Sequence, residues 1–320
     1  MKRKSLIYSL FLKGGIILLL FLIQFVLPTY HHSSFSKIMI LASYAIAYNF
    51  LLGYTGLMSL GHAMFFASGM YSAGLSILYL GFTPLEGMIF GTLFSLTISL
   101  IFGLFALRTT GVSFLIVTLM FGQTLYLAIL YYNEFTYGQD GFSITNYLGS
   151  IEIFGKEHLY SNPTLRYNFA LILLAFYLLI TTIIILSPIG RILIAIRENE
   201  ARTQLLGYNV FSYKLFALTF SGTLAGISGA MHALLFSYIG TTFAEIHHSI
   251  SPLLWTLLGG AGTVIGPLLG TGVMYYLIDF ISGITSNYLL VVGIILVLTI
   301  IWFPLGIMGT LRQKWIKWLP

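Results

Sequence analysis

Apolar runs close to the length needed to cross a bilayer recur along this whole chain, and nothing else in it limits the fold as strongly. A crossing helix needs about 20 mainly apolar residues. Candidate spans fall at 13–27, 37–52, 57–80, 84–106, 112–131, 166–187, 214–237 and 286–304. Charged residues make up 8% of the 320 residues, too few to coat a soluble protein of this size. The 33 glycines follow no three-residue period and the chain is 58% hydrophobic, which excludes collagen-like and disordered readings. The reading is an all-α polytopic membrane protein, one domain over 1–320.

The net charge of +6 comes from 15 basic residues scattered between the spans, with no stripe to follow a phosphate backbone, so no nucleic acid partner is expected. Their placement fits the excess of Lys and Arg on cytoplasmic loops. Lys2, Arg3, Lys4 and Lys13 put the N-terminus in the cytoplasm. The apolar run up to Leu27 reads as a first membrane helix, because no small-x-small cleavage site precedes Pro28. Segment 132–165 carries Glu134, Asp140, Glu152 and Glu157 against Lys156 and is placed outside. Segment 188–213 carries Arg191, Arg197 and Arg202, with Lys214 at its edge, and is placed inside; Arg312, Lys314 and Lys317 ask for an inside C-terminus. The stretch 250–281 is broken at Gly259-Gly260-Ala261-Gly262. Splitting it into crossings at 250–260 and 264–281 brings the tail inside with about ten helices, in a range of about eight to ten.

The outer segment has an alternating patch from Ser150 to Phe154 that suits a short hairpin or a lid. The inner one reads as an amphipathic helix from Pro188 through Leu206, with an i,i+4 pair between Glu198 and Arg202 and a boundary at Gly207. Glycines sit where helices are expected to touch. Gly262, Gly266 and Gly270 form one small-xxx-small series, Gly222 with Gly226 and Ala225 with Gly229 a second, Gly69 with Ala73 a third. Gly53–Gly61 and Gly259–Gly272 each read as opening a helix, which suggests an internal repeat of broken helices.

The spans hold no carboxylate pair at their centres, since Glu86 and Asp279 lie near ends and Glu245 in an outer loop; this argues against proton coupling. His62, beside a glycine-rich helix opening, is either a packing residue or part of a gate. His31-His32 and His247-His248 are read as decorating the outer interface. The chain has no cysteine and no Walker, dinucleotide, G-x-S-x-G or HExxH motif. No catalytic site, metal or bound cofactor is expected, and energy from ATP would have to come from another subunit.

Five stretches in order carry a more specific likeness. They are Gly53-Tyr54-Thr55-Gly56-Leu57-Met58-Ser59-Leu60-Gly61-His62-Ala63-Met64-Phe65-Phe66; Leu107-Arg108-Thr109-Thr110-Gly111-Val112-Ser113-Phe114 continuing through Thr118 to Gln123; Gly138-Gln139-Asp140-Gly141; Gly190-Arg191 with Ala195-Ile196-Arg197-Glu198-Asn199-Glu200, Gly207, Asn209, Lys214 and Ser221–Gly226; and Gly259–Thr263 with Gly266-Pro267. In these the chain resembles the permeases of high-affinity branched-chain amino acid ABC importers, the LivM family. The resemblance implies an ABC importer transmembrane domain in a prokaryotic inner membrane, moving Leu, Ile and Val by alternating access.

It also implies partners: a second related permease, two ATP-binding subunits that use ATP and Mg, and an extracytoplasmic solute-binding protein. Arg197, Glu198, Asn199 and Glu200, with Arg202 and Gly207, would form the cytoplasmic coupling segment. Asp140 and Gly141 would face the binding protein. Thr55, Ser59, His62, Thr118 and Gln123 are candidates for the path or gate, each equally able to bond helix to helix. Arg108 either snorkels to headgroups or meets the same partner as the coupling segment. Ser113 stands where an aromatic is common in the family, and Trp255 where methionine is usual. These departures leave the class intact and keep urea or short amides open as cargo, with an ion-coupled secondary transporter as the more distant alternative.

Overall fold

The computed structural model describes residues 2–153, 156–160 and 162–314. Its helices are α1 (Lys2–Ile23), α2 (Thr29–Thr55), α3 (His62–Leu80), α4 (Pro84–Ala106), α5 (Gly111–Tyr131), the single turn α6 (Asn133–Thr136), α7 (Pro163–Leu186), α8 (Pro188–Glu198), α9 (Glu200–Leu205), α10 (Val210–Phe236), α11 (Ile246–Gly259), α12 (Gly266–Ser282), α13 (Tyr288–Trp302) and α14 (Gly306–Lys314). Six of these, α2, α3, α4, α5, α7 and α10, are long and apolar enough to cross a membrane; shorter apolar helices cover Phe11–Ile23 and Tyr288–Thr299. The chain is thus a polytopic, mainly helical membrane protein. Four short strands lie in connections: β1 (Phe142–Ser143) pairs with β4 (Tyr238–Ile239), and β2 (Ser150–Ile153) pairs with β3 (Lys156–Leu159) as an antiparallel hairpin within 132–165.

Two 27-residue helices, α2 and α10, form the centre. Every residue of α2 from Ile38 to Leu51 is buried, as an all-round apolar helix requires. The two helices run antiparallel, with Phe50 against Phe220 at 4.8 Å between ring centroids and Ser221 bonded to the Ala47 carbonyl. Each ends in a left-handed cap. Gly56 (φ 74°) donates its N–H to Leu52 O, and Ser237 (φ 58°) donates its N–H to Ala233 O. Each is followed by a segment outside the α-helices, 56–61 or 237–245, the latter holding β4 and a 3₁₀ turn at Thr241–Ala244, that leads to the next α-helix. The hairpin α3–α4 packs on α10, and the hairpin α11–α12 packs on α2. The hairpin that follows each long helix therefore covers the other long helix.

Close packing is achieved with small residues. A Cβ on Gly69 would overlap the Gly226 backbone, one on Gly229 the Phe66 carbonyl, and one on Gly226 the Ser95 side chain. The matching face of α4 is Gly87, Gly91, Ser95, Ser99 and Gly103, all buried and spaced four apart. It runs antiparallel to α10: Gly91 meets Ala230, Ser95 meets Gly226, Ser99 meets Gly222 and Gly103 meets Leu218. The period was present in the sequence, but serine at two of five positions disguised it.

Several expectations change. The run Gly53–Gly61 both closes one helix and opens the next: Gly53–Thr55 end α2, and Gly61 is the N-cap of α3. The break in 250–281 exists, but Gly262 (φ 78°) lies in the turn, so the series Gly262, Gly266, Gly270 is not one helical face. Gly266 and Gly270 do pack closely, against Gly259 and the Trp255 carbonyl of α11. Lys13 is not a solvated end marker; it is buried and donates to Thr182 Oγ1 at 2.5 Å. His247 and His248 lie in the first turn of α11 rather than a loop, and His32 is buried with its Nε2 3.0 Å from Gln24 O. Of the tail charges, Lys317 lies outside the described residues.

Replacing Gly69 by Val should lower thermal stability in detergent, because the α3–α10 contact cannot open without losing its whole length; overpacking of this kind costs about 1–3 kcal/mol. Gly272→Ala, which meets open space, should leave the melting temperature unchanged in the same fluorescence size-exclusion assay.

Candidate functional site

A peptide that leaves helical geometry inside a membrane protein must find partners for its N–H groups. Segment 56–61 and the first turn of α3 do so through hydroxyls of α5, of α11 and of Ser59 itself. Leu60 N–H donates to Thr118 Oγ1 on α5 (3.2 Å), Gly61 N–H to Ser59 Oγ (3.2 Å) and Ala63 N–H to Ser249 Oγ on α11 (2.8 Å). Tyr48 on α2 donates its hydroxyl to the Ser59 carbonyl at 2.9 Å. A Cβ on Gly61 would overlap the Thr118 carbonyl, so this crossing admits only glycine. The start of α3 is thus capped by the start of α11, and the two breaks meet.

Ser59, His62 and Thr118, three of the candidate path residues, gather on this one segment and are buried. Thr55 lies at its entrance, its hydroxyl donating to Leu51 O. Gln123 stands apart, half-buried on α5 beside Gly122, whose Cα side faces Gly61. The space lined by Ser59, Gly61, Thr118, Phe102, Phe121 and Leu218 is about 10 Å³, so these side chains pack against one another with little room between them.

His62 has a defined tautomer. The hydroxyl of Ser221 donates its only proton to Ala47 O (2.5 Å), so its oxygen must accept from His62 Nε2–H at 2.8 Å. Nδ1 is then an acceptor, and it has no partner among the described groups. The ring packs edge-on against Tyr48 at 4.7 Å. Beyond it, His248 stacks on Tyr44 (5.3 Å) and meets Phe66 (4.8 Å), and His232 meets Phe243 (4.6 Å), an aromatic layer rather than a ligand cluster. No group of three His, Asp or Glu side chains among the described residues is placed to hold a metal ion.

At the end of the bundle formed by 188–213, the inner segment is two helices, not one. Ser187 caps α8, which buries Gly190, Leu193 and Ile196. Asn199 leaves helical geometry and its Oδ1 accepts from Arg202 N–H at 2.8 Å, starting α9. That break separates Glu198 from Arg202 and removes their expected pairing; Glu200 instead bonds Lys214 Nζ at 2.6 Å. Gly207 (φ 89°) follows the end of α9. Arg197 points inward from α8. Its Nη1 donates to Gly53 O in the last turn of α2, and its guanidinium packs beside Gly262 in the α11–α12 turn. Asn49 holds the same turn by two bonds, Nδ2 to Thr263 O (2.9 Å) and Oδ1 from Gly262 N–H (2.9 Å). The outward face carries Glu198, Arg202, Leu205 and Leu206, the last two 88% and 70% exposed. Arg108 lies over its own Phe105 ring at 5.8 Å.

At the opposite end, Asp140 is exposed and Gly141 (φ 66°) turns the chain against the Ile239 carbonyl, beside the β1–β4 pair. Asn49, Tyr48, Ser221 and Ser249 escaped the sequence reading. Their only signal was a polar side chain within an apolar run.

The buried polar side chains of this bundle are thus spent on holding broken helices, and among the described residues none gather as a metal-binding cluster. The family model described as "Branched-chain amino acid transport system / permease component" matches residues 32–300, and the chain belongs to that family. It is similar to the high-affinity branched-chain amino acid transport system permease protein LivM of Salmonella typhimurium, at 29% identity over 295 residues covering 83% of this chain and 67% of the relative. The LivM protein of Escherichia coli K12 is 28% identical over 287 residues with the same coverage. A shorter likeness, 30% over 120 residues, links 35% of the chain to 37% of the ribose import permease protein RbsC of Haemophilus influenzae. No solved structure matches the chain. The protein is accordingly a membrane permease subunit of an ABC-type transporter family related to branched-chain amino acid import, and that membership implies ATPase and solute-binding partners.

The double bond of Asn49 to the turn is open to test. Asn49→Leu strands a buried N–H and a buried carbonyl, at about 1–3 kcal/mol each. The chain has no cysteine, so a Thr263→Cys reporter is a unique thiol. Its maleimide labelling should rise in the Asn49→Leu background and stay low with Asn49 present.

Proposed function

We propose that this chain is the permease of an ATP-driven importer that carries branched-chain amino acids into the cytoplasm, paired with a second permease and driven by two ATPase subunits. The chain makes ten passes: α1, α2, α3 with segment 56–61, α4, α5, α7, α10, α11 with segment 237–245, α12 and α13. Both termini and the 188–213 end face the cytoplasm, and 132–165 faces the solute-binding protein, with Asp140 and Gly141 on that side. The cargo class rests on the names of the LivM relatives.

One observation supports the coupling role above others. Arg197 joins the docking helix to both broken units, through Gly53 O before one break and the Gly262 turn after the other. A charge-assisted bond to a carbonyl contributes about 1.5–3 kcal/mol, enough to carry a rigid shift of α8 into both broken units. ATPase subunits that close on the exposed face of α8–α9, at Glu198, Arg202, Leu205 and Leu206, would act through this arginine, with the Glu200–Lys214 pair holding α9 to α10. Gln123, His62 and the hydroxyls of Thr55, Ser59 and Thr118 then mark the closed level that must open.

In liposomes holding the complete complex and its binding protein, labelled leucine uptake should be competed by isoleucine and valine. Arg197→Glu should reduce substrate-stimulated ATP hydrolysis at least tenfold, in keeping with loss of about 1.4 kcal/mol or more of coupling. Ion-driven uptake by this chain alone would overturn the mechanism, and urea uptake without leucine uptake would overturn the cargo. Single cysteines at Asp140 and Arg202 should label from opposite sides with an impermeant maleimide.

A further inference from the structure

A cavity of about 480 Å³ opens at the docking end between Arg197, the turn residues Ala261, Gly262 and Thr263, and Leu305, Gly309, Arg312 and Gln313 of the C-terminal region. Two guanidiniums line it and no acid does. Neither arginine has an ion-pair partner among the described residues, where the ion pair present is Lys214–Glu200. Two guanidiniums with the Gln313 side chain and no acid form a set of donors suited to an anion with several oxygens.

The setting says where that anion comes from. α14 starts four residues after α13 ends, turning at Gly306 (φ 72°), where a Cβ would overlap Gly260. Met308 of α14 is buried with Ile265, against Leu12 and Ile16 of α1. Trp302, 74% exposed, stands at the end of α13, where amphipathic aromatics meet headgroups. The cavity is thus at headgroup depth, open beside a lipid-facing helix. Basic pockets between helices on that leaflet suit anionic lipid headgroups.

We propose that this cavity binds a phosphate group, delivered by an anionic phospholipid of the adjoining leaflet. Arg312 and Arg197 hold the phosphate oxygens, and the Gln313 side-chain amide supplies a neutral donor. Because Arg197 also holds Gly53 O, the bound lipid neutralises the arginine that ties α8 to both broken units. The lipid then sets how firmly the docking helix is coupled. The site itself stands on the cavity, while the effect on coupling rests on the importer reading above.

The test separates the two. Wild-type protein, purified with whatever subunits accompany it, is extracted and its retained phosphatidylglycerol measured by mass spectrometry. Arg312→Gln and Gln313→Glu should each retain about fivefold less, the effect of removing or opposing one interfacial charge. This arm reads the cavity even if no ATPase accompanies the chain. In nanodiscs, the complete complex should hydrolyse ATP in response to substrate several-fold better with phosphatidylglycerol present than in phosphatidylcholine alone, and inorganic phosphate should not substitute. Equal lipid retention by wild type and both variants would overturn the site. Restoration by inorganic phosphate in phosphatidylcholine would overturn the lipid as its source. Loss of ATPase binding in Arg312→Gln with lipid retention unchanged would assign the cavity to a partner's carboxylate instead.

Discussion

Backbone satisfaction at the two breaks is the constraint from which the rest of this structure follows. An amide inside a bilayer has no water to turn to, so a chain that stops being helical there needs an acceptor within the protein. Segment 56–61 and the first turn of α3 obtain them from Ser59, Thr118 and Ser249. The last of these, on α11 just beyond the second break, takes the Ala63 N–H in the first turn of α3, so the start of α3 depends on α11. The hairpins cross over for the same reason: α3–α4 covers α10 and α11–α12 covers α2. Small residues then follow from the cross-over, because a satisfied break leaves no slack for side chains between Gly69 and Gly226 or between Gly61 and Thr118.

The same dependence explains why the docking end is built around an arginine and an asparagine. The turn between α11 and α12 exposes Gly262 N–H and Thr263 O, and Asn49 pairs both with one amide. Gly53 O, in the last turn of α2, has no helical N–H ahead of it and takes Arg197 Nη1. Each bond first answers a local shortage of partners. Together they fasten α2, the second hairpin and α8 to one another, so a force applied to α8 has no compliant joint in which to dissipate.

Much of the fold was legible because its physical cause repeats at fixed spacing. The apolar runs mark α4, α5, α7 and α10 to within a few residues, and the glycine-rich stretch near 260 marks a real break. What was missed has causes that do not repeat. Gly53–Gly61 looks like a helix opening because its glycines resemble a cap, but it also ends α2; whether glycine ends one helix or starts the next depends on φ, which composition does not carry. The small-residue face of α4 was hidden by Ser95 and Ser99, whose hydroxyls bond back to their own helix at Thr92 O and Leu96 O and so behave as small apolar groups. Asn49 and Ser249 take their meaning from partners about two hundred residues away. The polar connection 188–213 was legible from its charges, yet its internal break at Asn199 was not, because asparagine caps a helix only where the chain has already left it.

The breaks also bear on selectivity. A site that recognises an amino acid needs donors for the carboxylate and acceptors for the ammonium. At segment 56–61 and the first turn of α3 the N–H groups of Leu60, Gly61 and Ala63 are already bonded, and the hydroxyl protons of Ser221, Thr55 and Tyr48 go to backbone carbonyls. His62 Nδ1, held as an acceptor by Ser221, is left without a partner among the described groups. On the importer reading proposed above, so sparse a set of free polar groups is fitted to gating, and cargo would be discriminated before it.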